Sequence, residues 1–342
     1  MDQELLYKGI LGGLTNALIG DSMGSATEGM TPAKIREHYG QKVTKFFPPP
    51  EGTFAEGREP GQLTDDTTVM LEMVDAMIES DGILEIERVV EHLLSWAEND
   101  ELFSRFAGPS SSKAIEDLRE GKSPYETGKP RYPLYIATCG AAMKVAPAGL
   151  AHPGDLDAAI RDAVTMSIPT HNSDVALAGA CAVASAVAQA LVPGATPMSV
   201  IDASVYGATQ GYDSEAAKQS RLTSPSMVER IHLATEIAAT SADFEQACED
   251  LERVIGCGLP IIETTPVALG LFLAARGDPQ LTVIGAVNIG GDADSVATVA
   301  GAISGAYGGI DNVDPALFEQ IKAVNEIDLE GYAKRLTDLA MG

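Results

Sequence analysis

A chain of 342 residues with 23 basic and 49 acidic side chains carries a net charge of −26, which excludes a phosphate-neutralising face for nucleic acid or an anionic membrane. That length allows one large domain or two ordinary ones, either able to bury a sizeable core. The four cysteines, Cys139, Cys181, Cys248 and Cys257, contain no CxxC pair, so neither a zinc site nor a disulfide framework is expected.

The chain starts Met-Asp-Gln-Glu, without a basic segment leading into an apolar one; no secretory signal and a cytoplasmic location are expected. Leu6, Ile10, Leu14 and Leu18 have helical spacing and predict a helix over residues 4–19, broken at Gly20-Asp21-Ser22-Met23-Gly24. Thr31-Pro32 opens another helix, as N-cap and first helical residue. A Pro- and Gly-rich loop over 47–63 delivers Thr64-Asp65-Asp66-Thr67 to an amphipathic helix with Val69, Met73 and Met77 on one face. A further helix runs through Ile86, Val90 and Leu93 and ends after Trp96. Residues 107–135 are polar and predict one short helix, Lys113 to Glu120.

Beyond them, helices are expected near 155–167, 172–191, 197–209, 226–239, 243–256, 264–276, 280–288, 293–307, 314–325 and 328–340. The run from Val175 to Val192 is free of charge but mostly Ala, with Ser185 and Gln189 inside, which favours a buried core helix over a membrane span. No period-2 strand pattern, repeat or linker interrupts this series. The reading is a single all-α domain over 1–342.

Two acidic clusters stand out. Thr64-Asp65-Asp66 and Asp292-Ala-Asp294-Ser295 each supply three oxygen groups at the start of a core helix. Either alone reads better as a helix cap with acidic residues placed for the macrodipole. Together they form an oxygen set suited to hard cations such as Mg²⁺ or Mn²⁺, and two close clusters can hold a pair about 4 Å apart. With Glu28 there are five carboxylates, which would repel and raise one another's pKa unless cations accompany them. The small stripe Ala297, Gly301 and Gly305 lets another helix approach the 293–307 segment closely, opposite its apolar positions Val296, Val299, Ala300, Ile303 and Tyr307. Other motifs fall away. Gly20-Asp-Ser22-Met-Gly24 matches a nucleophile elbow as a string, but a helix precedes it where that motif needs a strand. Gly256-Cys-Gly258 lacks the third glycine of a dinucleotide fingerprint, and the second acidic cluster lacks the Gly and Glu of an EF-hand. Thr170-His171-Asn172 reads on its own as a capping cluster heading the Ala-rich helix.

With Gly20-Asp-Ser-Met-Gly24, Glu28, Thr64-Asp-Asp-Thr67, Gly140-Ala-Ala-Met-Lys-Val-Ala-Pro147, Thr170-His171 and Gly290-Gly-Asp-Ala-Asp-Ser295 in this order, the chain resembles the ADP-ribosylglycohydrolase family, the group of dinitrogenase reductase-activating glycohydrolase and crystallin J1. The resemblance implies an all-α fold with a binuclear Mg²⁺ or Mn²⁺ centre that cleaves at the ribose anomeric carbon. It implies Thr64, Asp65, Asp66, Asp292, Asp294 and Ser295 as metal ligands, and Glu28, Asp65 and Asp66 as catalytic positions, with Glu28 or Asp66 the base. It implies substrate contacts at Thr138, Cys139, Gly140 and His171. The family usually reads Asn and Arg where this chain has Cys139 and Lys144, which removes amide hydrogen bonds and a fork donor from the diphosphate side. The implied substrate is an ADP-ribosylated protein or small molecule, with a nucleoside-like N-ribosyl compound as the alternative. A non-catalytic, crystallin-like or ADP-ribose-binding role is the alternative of another class. Neither a nucleic acid nor a membrane partner is expected, and the chain is expected to be a monomer or small homo-oligomer.

Overall fold

The computed structural model describes residues 2–80 and 82–342. Among them the chain is helical throughout, and its one strand-like pairing is an isolated bridge between Thr138 and Pro260. The apolar faces of the helices meet in one contiguous core. The centre of the fold is an antiparallel pair, the helix Gln3–Gly24 against the helix Ala293–Gly308.

This pair is held at backbone contact. A Cβ at Gly12 would strike the Gly305 carbonyl oxygen, and one at Gly305 would strike that of Gly12. Likewise Gly20 lies on the Ala297 carbonyl, Gly24 on the Asp294 backbone, and Gly301 on the Asn16 carbonyl. The small stripe expected at Ala297, Gly301 and Gly305 therefore faces a matching stripe on the first helix. Asn16 fills the remaining gap, its side-chain amide donating to the Pro279 carbonyl and the Ser304 hydroxyl at 3.2 and 3.1 Å.

One expectation is overturned by the same contact. The first helix does not end at residue 19; it runs through Gly20-Asp21-Ser22-Met23 to Gly24. Its glycines are sites of close approach, and burial against the partner helix offsets their roughly 1 kcal/mol helix penalty. Asp21 is thus carried inward on a buried helical turn, 0 % exposed. Ser22 also lies on that helix, away from any strand-turn-helix elbow.

The other expected helices are present with ends shifted by a few residues, including Asp65–Glu79, Ile86–Trp96, Asp174–Ala190 and Pro279–Ile289. Val69, Met73 and Met77 are buried as their spacing predicts. The stretch 107–135 holds Pro109–Arg119 where a start at Lys113 was expected, and also Pro124–Thr127. Further short helices at Asp100–Phe106, Ala146–Ala151 and Glu215–Lys218 have too few turns to show a period. The helix Asp174–Ala190, free of charge after Asp174, is buried along nearly its whole length, with Pro197–Asp213 laid across it through Gly207 and Gly211. Among the described residues no helix is long and apolar enough to cross a membrane.

Gly301→Ala places a methyl group against the Asn16 carbonyl and 3.1 Å from the Ala17 Cα. Overpacking at this contact is expected to cost about 1–3 kcal/mol, read as a lower urea midpoint at unchanged m value.

Candidate active site

Antiparallel packing brings the C-terminal end of the first helix to the N-terminal end of Ala293–Gly308, and both acidic clusters gather there. Thr64 is the N-cap of the helix Asp65–Glu79, accepting from the Asp66 N–H at 3.3 Å. Asp21 anchors this cap. Its carboxylate accepts from the Thr64 hydroxyl at 2.7 Å, from the Thr64 N–H at 3.1 Å, and from the Thr67 hydroxyl and N–H. These bonds offset part of the burial that raises the Asp21 pKa.

The second cluster is held by a glycine pair. Gly290 and Gly291 have φ of +80° and +67°, values that favour glycine, and side chains there would also strike the Met30 and Cys257 carbonyls. Gly29 N–H donates to the Gly291 carbonyl at 2.8 Å and Gly291 N–H to that of Met30 at 2.9 Å, which ties the loop bearing Glu28 to the loop bearing Asp292. The Asp292 N–H donates to the Cys257 carbonyl at 2.6 Å. The Gly256-Cys257-Gly258 string thus belongs to the support of an acidic residue.

The clusters meet directly. Ser295 donates its hydroxyl to Asp66 Oδ1 at 2.8 Å. Carboxylate oxygens of Glu28, Asp292 and Asp294 all lie within 4.8 Å of one another. Burial raises Asp65, Asp66 and Asp294 well above the usual carboxylate range, and neighbouring carboxylates push the same way. Asp292 is raised chiefly by burial. Glu28 is pushed up to about 7, first by burial and then by Asp292 and Asp21. None of Asp21, Glu28, Asp65, Asp66, Asp292 and Asp294 makes an ion pair among the described residues, and the buried Asp292 Oδ2 has no hydrogen-bond partner at all. A nest of carboxylates without a counter-charge, one oxygen of it orphaned, fits a group of divalent cations.

A cavity of about 210 Å³ opens beside the nest. Glu28, Asp65, Asp66, Thr138, Cys139, Gly140, His171, Asp292, Asp294 and Ser295 all line it; Thr64 is fully buried behind the wall. Arg105 also reaches it, but its guanidinium is turned to the Phe54 and Glu56 carbonyls. Cys139 is delivered by the bridge to the 259–261 segment, its N–H donating to the Leu259 carbonyl at 2.8 Å. Its thiol is 3.4 Å from the Ser295 hydroxyl. Burial and the nearby Asp292 and Asp66 push its pKa far up, so it stays a thiol.

His171 does not cap the Ala-rich helix; Ser173 does. The imidazole lies over Gly140, where a Cβ would approach its Cε1 to 2.7 Å. Its Nε2 is 3.0 Å from the Thr138 hydroxyl, and burial, with Lys144, lowers its pKa well below the usual value. On its far side a second cavity of about 530 Å³ is lined by Lys113, Lys129, Arg131, Tyr132 and Tyr135. On the other side Glu28 and Phe54 border an open groove with Lys34 and His38. Sequence reasoning gave Asp21 no role, and it did not foresee that Lys144 and Thr170, both in motifs it quoted, are joined to each other and to His171. A carboxylate on an otherwise apolar helix was the available signal for Asp21.

An all-helical fold that closes one carboxylate nest over a cavity defines an acidic, enzyme-type site. The chain belongs to the ADP-ribosylglycohydrolase family, whose profile matches residues 2–342, and is therefore a hydrolase of glycosidic bonds. It is 34 % identical over 332 residues to the uncharacterised protein YegU of Escherichia coli (strain K12), covering 96 % of each chain. To ADP-ribosylhydrolase ARH3 of Homo sapiens it is 24 % identical over 343 residues, covering 93 % of this chain and 90 % of that one. A solved ADP-ribosylglycohydrolase-related protein complex shares the fold, with a TM-score of 0.71 at 20 % identity over 99 % of this chain and 100 % of that one.

The nest sets a pH dependence. In metal-free protein Glu28 has a pKa of about 7 against an ordinary 4.5, so the folded state binds more protons in that window and its stability falls as pH rises through it. Glu28→Gln mimics the protonated side chain. With EDTA present, its Tm is expected to equal that of the unsubstituted chain near pH 4.5 and to exceed it increasingly up to about pH 7.

Proposed function

We propose that the chain is a divalent-metal-dependent ADP-ribosyl hydrolase, working on ADP-ribosylated protein or small-molecule substrates with two Mg²⁺ or Mn²⁺ ions. The observation that carries this reading is the nest itself: five carboxylates lining one cavity, with Asp21 behind them and, among the described residues, no protein cation paired to any of the six. Burying such charges without compensation costs several kcal/mol per ion, which bound cations would offset. Asp65, Asp66, Asp292 and Asp294, with the hydroxyls of Thr64 and Ser295, would hold the ions, Thr64 from behind the cavity wall. When bound, the ions supply positive charge that orients the ribose hydroxyls and stabilises charge rearrangement at the anomeric carbon.

Asp66 is 2 % exposed and already accepts the Ser295 hydroxyl. Glu28 stands at the mouth, where the inner cavity meets the outer groove. Between the two, Glu28 is the better base, placed to take a proton from the attacking water, whereas Asp66 is already engaged by Ser295. Its position between the inner cavity and the outer groove gives the leaving group a path outward. The cavity beyond His171 supports the ADP half. Tyr132 and Tyr135 offer ring faces for a base, and Arg131 makes no ion pair among the described residues, in a chain of net charge −26. This favours ADP-ribose conjugates over nucleosides, even with Cys139 in place of the family's amide.

Asp65→Ala and Asp292→Ala, each shown to be folded, are expected to lose more activity than the roughly 10–100-fold typical of outer-shell substitutions, read as kcat with saturating Mg²⁺. Full activity in both rejects the assignment. Incubation with ADP-ribosyl-arginine, ADP-ribosyl-serine and a nucleoside panel, with and without EDTA, is expected to release ADP-ribose in its absence only. Release of ribose from nucleosides alone rejects the ADP-ribosyl reading.

A further inference from the structure

Behind His171 lies a lysine with no carboxylate. Lys144 is 1 % exposed, makes no ion pair among the described residues, and has one hydrogen-bond partner there, the hydroxyl of Thr170. The same Thr170 oxygen is 2.8 Å from His171 Nδ1, and His171 Nε2 is 3.0 Å from the Thr138 hydroxyl. Thr138 lines the cavity that holds the carboxylate nest, while His171 and Thr170 also line the Tyr132–Tyr135 cavity. Four side chains therefore form one continuous chain from a buried ammonium to the junction of the two cavities.

The direction of that chain follows from what each group can give. An ammonium has three protons and no lone pair, so Lys144 can only donate to Thr170. Thr170 then has one proton of its own, and Nδ1 of His171 is the acceptor within reach. If Nδ1 instead carried the proton, it would be aimed at the oxygen that already receives the ammonium, against that positive charge, and the buried Thr170 hydroxyl hydrogen would be left without an acceptor; Lys144 supplies the first of these penalties. An imidazole that accepts at Nδ1 carries its proton on Nε2, and Nε2 donates to Thr138. The Thr138 oxygen is thereby occupied as an acceptor, and its own proton has no other protein partner among the described residues. It is left free on the cavity side.

We propose that Lys144 is a positioning residue which, acting through Thr170 and His171, makes Thr138 a hydrogen-bond donor toward an acceptor oxygen of the ligand where the two cavities join. A phosphate or ether oxygen of a phosphorylated sugar, which can only accept, fits this donor. The assignment rests on the reading of the cavities as the substrate site, but its first test does not depend on activity.

The full chain with ¹⁵N-labelled histidine, at pH 6, is to be examined by two-bond ¹H–¹⁵N correlation, with His171 assigned by the signals lost in His171→Gln. Burial lowers the Lys144 pKa only to about 7, so the ammonium is present at this pH. The expected result is a neutral His171 with its proton on Nε2. In Lys144→Met and in the isosteric Thr170→Val that preference is lost, while Lys144→Arg retains it. Removing the donor is also expected to raise the KM for an ADP-ribosylated substrate, or the Kd for ADP-ribose, by roughly tenfold, the worth of one hydrogen bond, with kcat little changed. A proton on Nδ1 in the unsubstituted chain overturns the proposal. So does a tautomer unchanged in both variants, or one that shifts while KM and Kd do not. If the tautomer behaves as stated and no ADP-ribosyl compound binds or is cleaved, the functional reading has failed and the hydrogen-bond chain stands.

Discussion

Backbone contact between the helices Gln3–Gly24 and Ala293–Gly308 is the constraint on which the rest of the molecule depends. Gly12, Gly20 and Gly24 on one and Gly301 and Gly305 on the other leave no room for a side chain between them. Because the pair is antiparallel, the closest approach continues to the ends, where Asp21 and Glu28 on one strand of the chain meet Asp292 and Asp294 on the other. The first helix also carries the anchor for the third participant, since Asp21 fixes Thr64 and with it the start of Asp65–Glu79. Every acidic group of the site is thus placed, directly or through one hydrogen bond, by a single helix–helix contact.

Such a contact is also what makes the charge arrangement tolerable. Six carboxylates gathered in low dielectric would each favour the protonated form, and the raised values of Asp65, Asp66 and Asp294 express that. A loose framework would relieve the repulsion by moving apart. Interlocked backbones resist this, because moving one helix away from the other opens a gap along the centre of the core. Asp21 illustrates the division of labour: fully buried and satisfied by Thr64 and Thr67, it acts on the site through geometry, whereas the orphaned Asp292 oxygen remains available.

Much of this was legible in the sequence because it is written locally. The period of Val296, Val299, Ala300 and Ile303, the small stripe beside them, and the Asp pairs at two helix starts are short-range patterns, and they forecast the buried helix Ala293–Gly308 and the meeting of the two clusters. Gly20 and Gly24 were misread for a physical reason: a glycine that admits a neighbour's backbone looks, in one dimension, like a glycine that ends a helix. The role of Asp21 was hidden with them. Links such as Lys144 to Thr170, or Cys139 to Ser295, join segments distant in the chain and leave no spacing to detect. The short helices Asp100–Phe106 and Pro124–Thr127 were invisible because one or two turns are too few to show a period.

The central claim is that the carboxylate nest is a divalent-cation site assembled by this helix pair. Electron paramagnetic resonance of EDTA-stripped protein titrated with Mn²⁺ tests it most directly, since bound and free Mn²⁺ give distinct signals. The account predicts saturable binding of two ions per chain with spectra of magnetically interacting ions, and loss of that binding in Asp292→Ala. Absence of saturable Mn²⁺ binding by the folded chain, or stoichiometry untouched by Asp292→Ala, would contradict it.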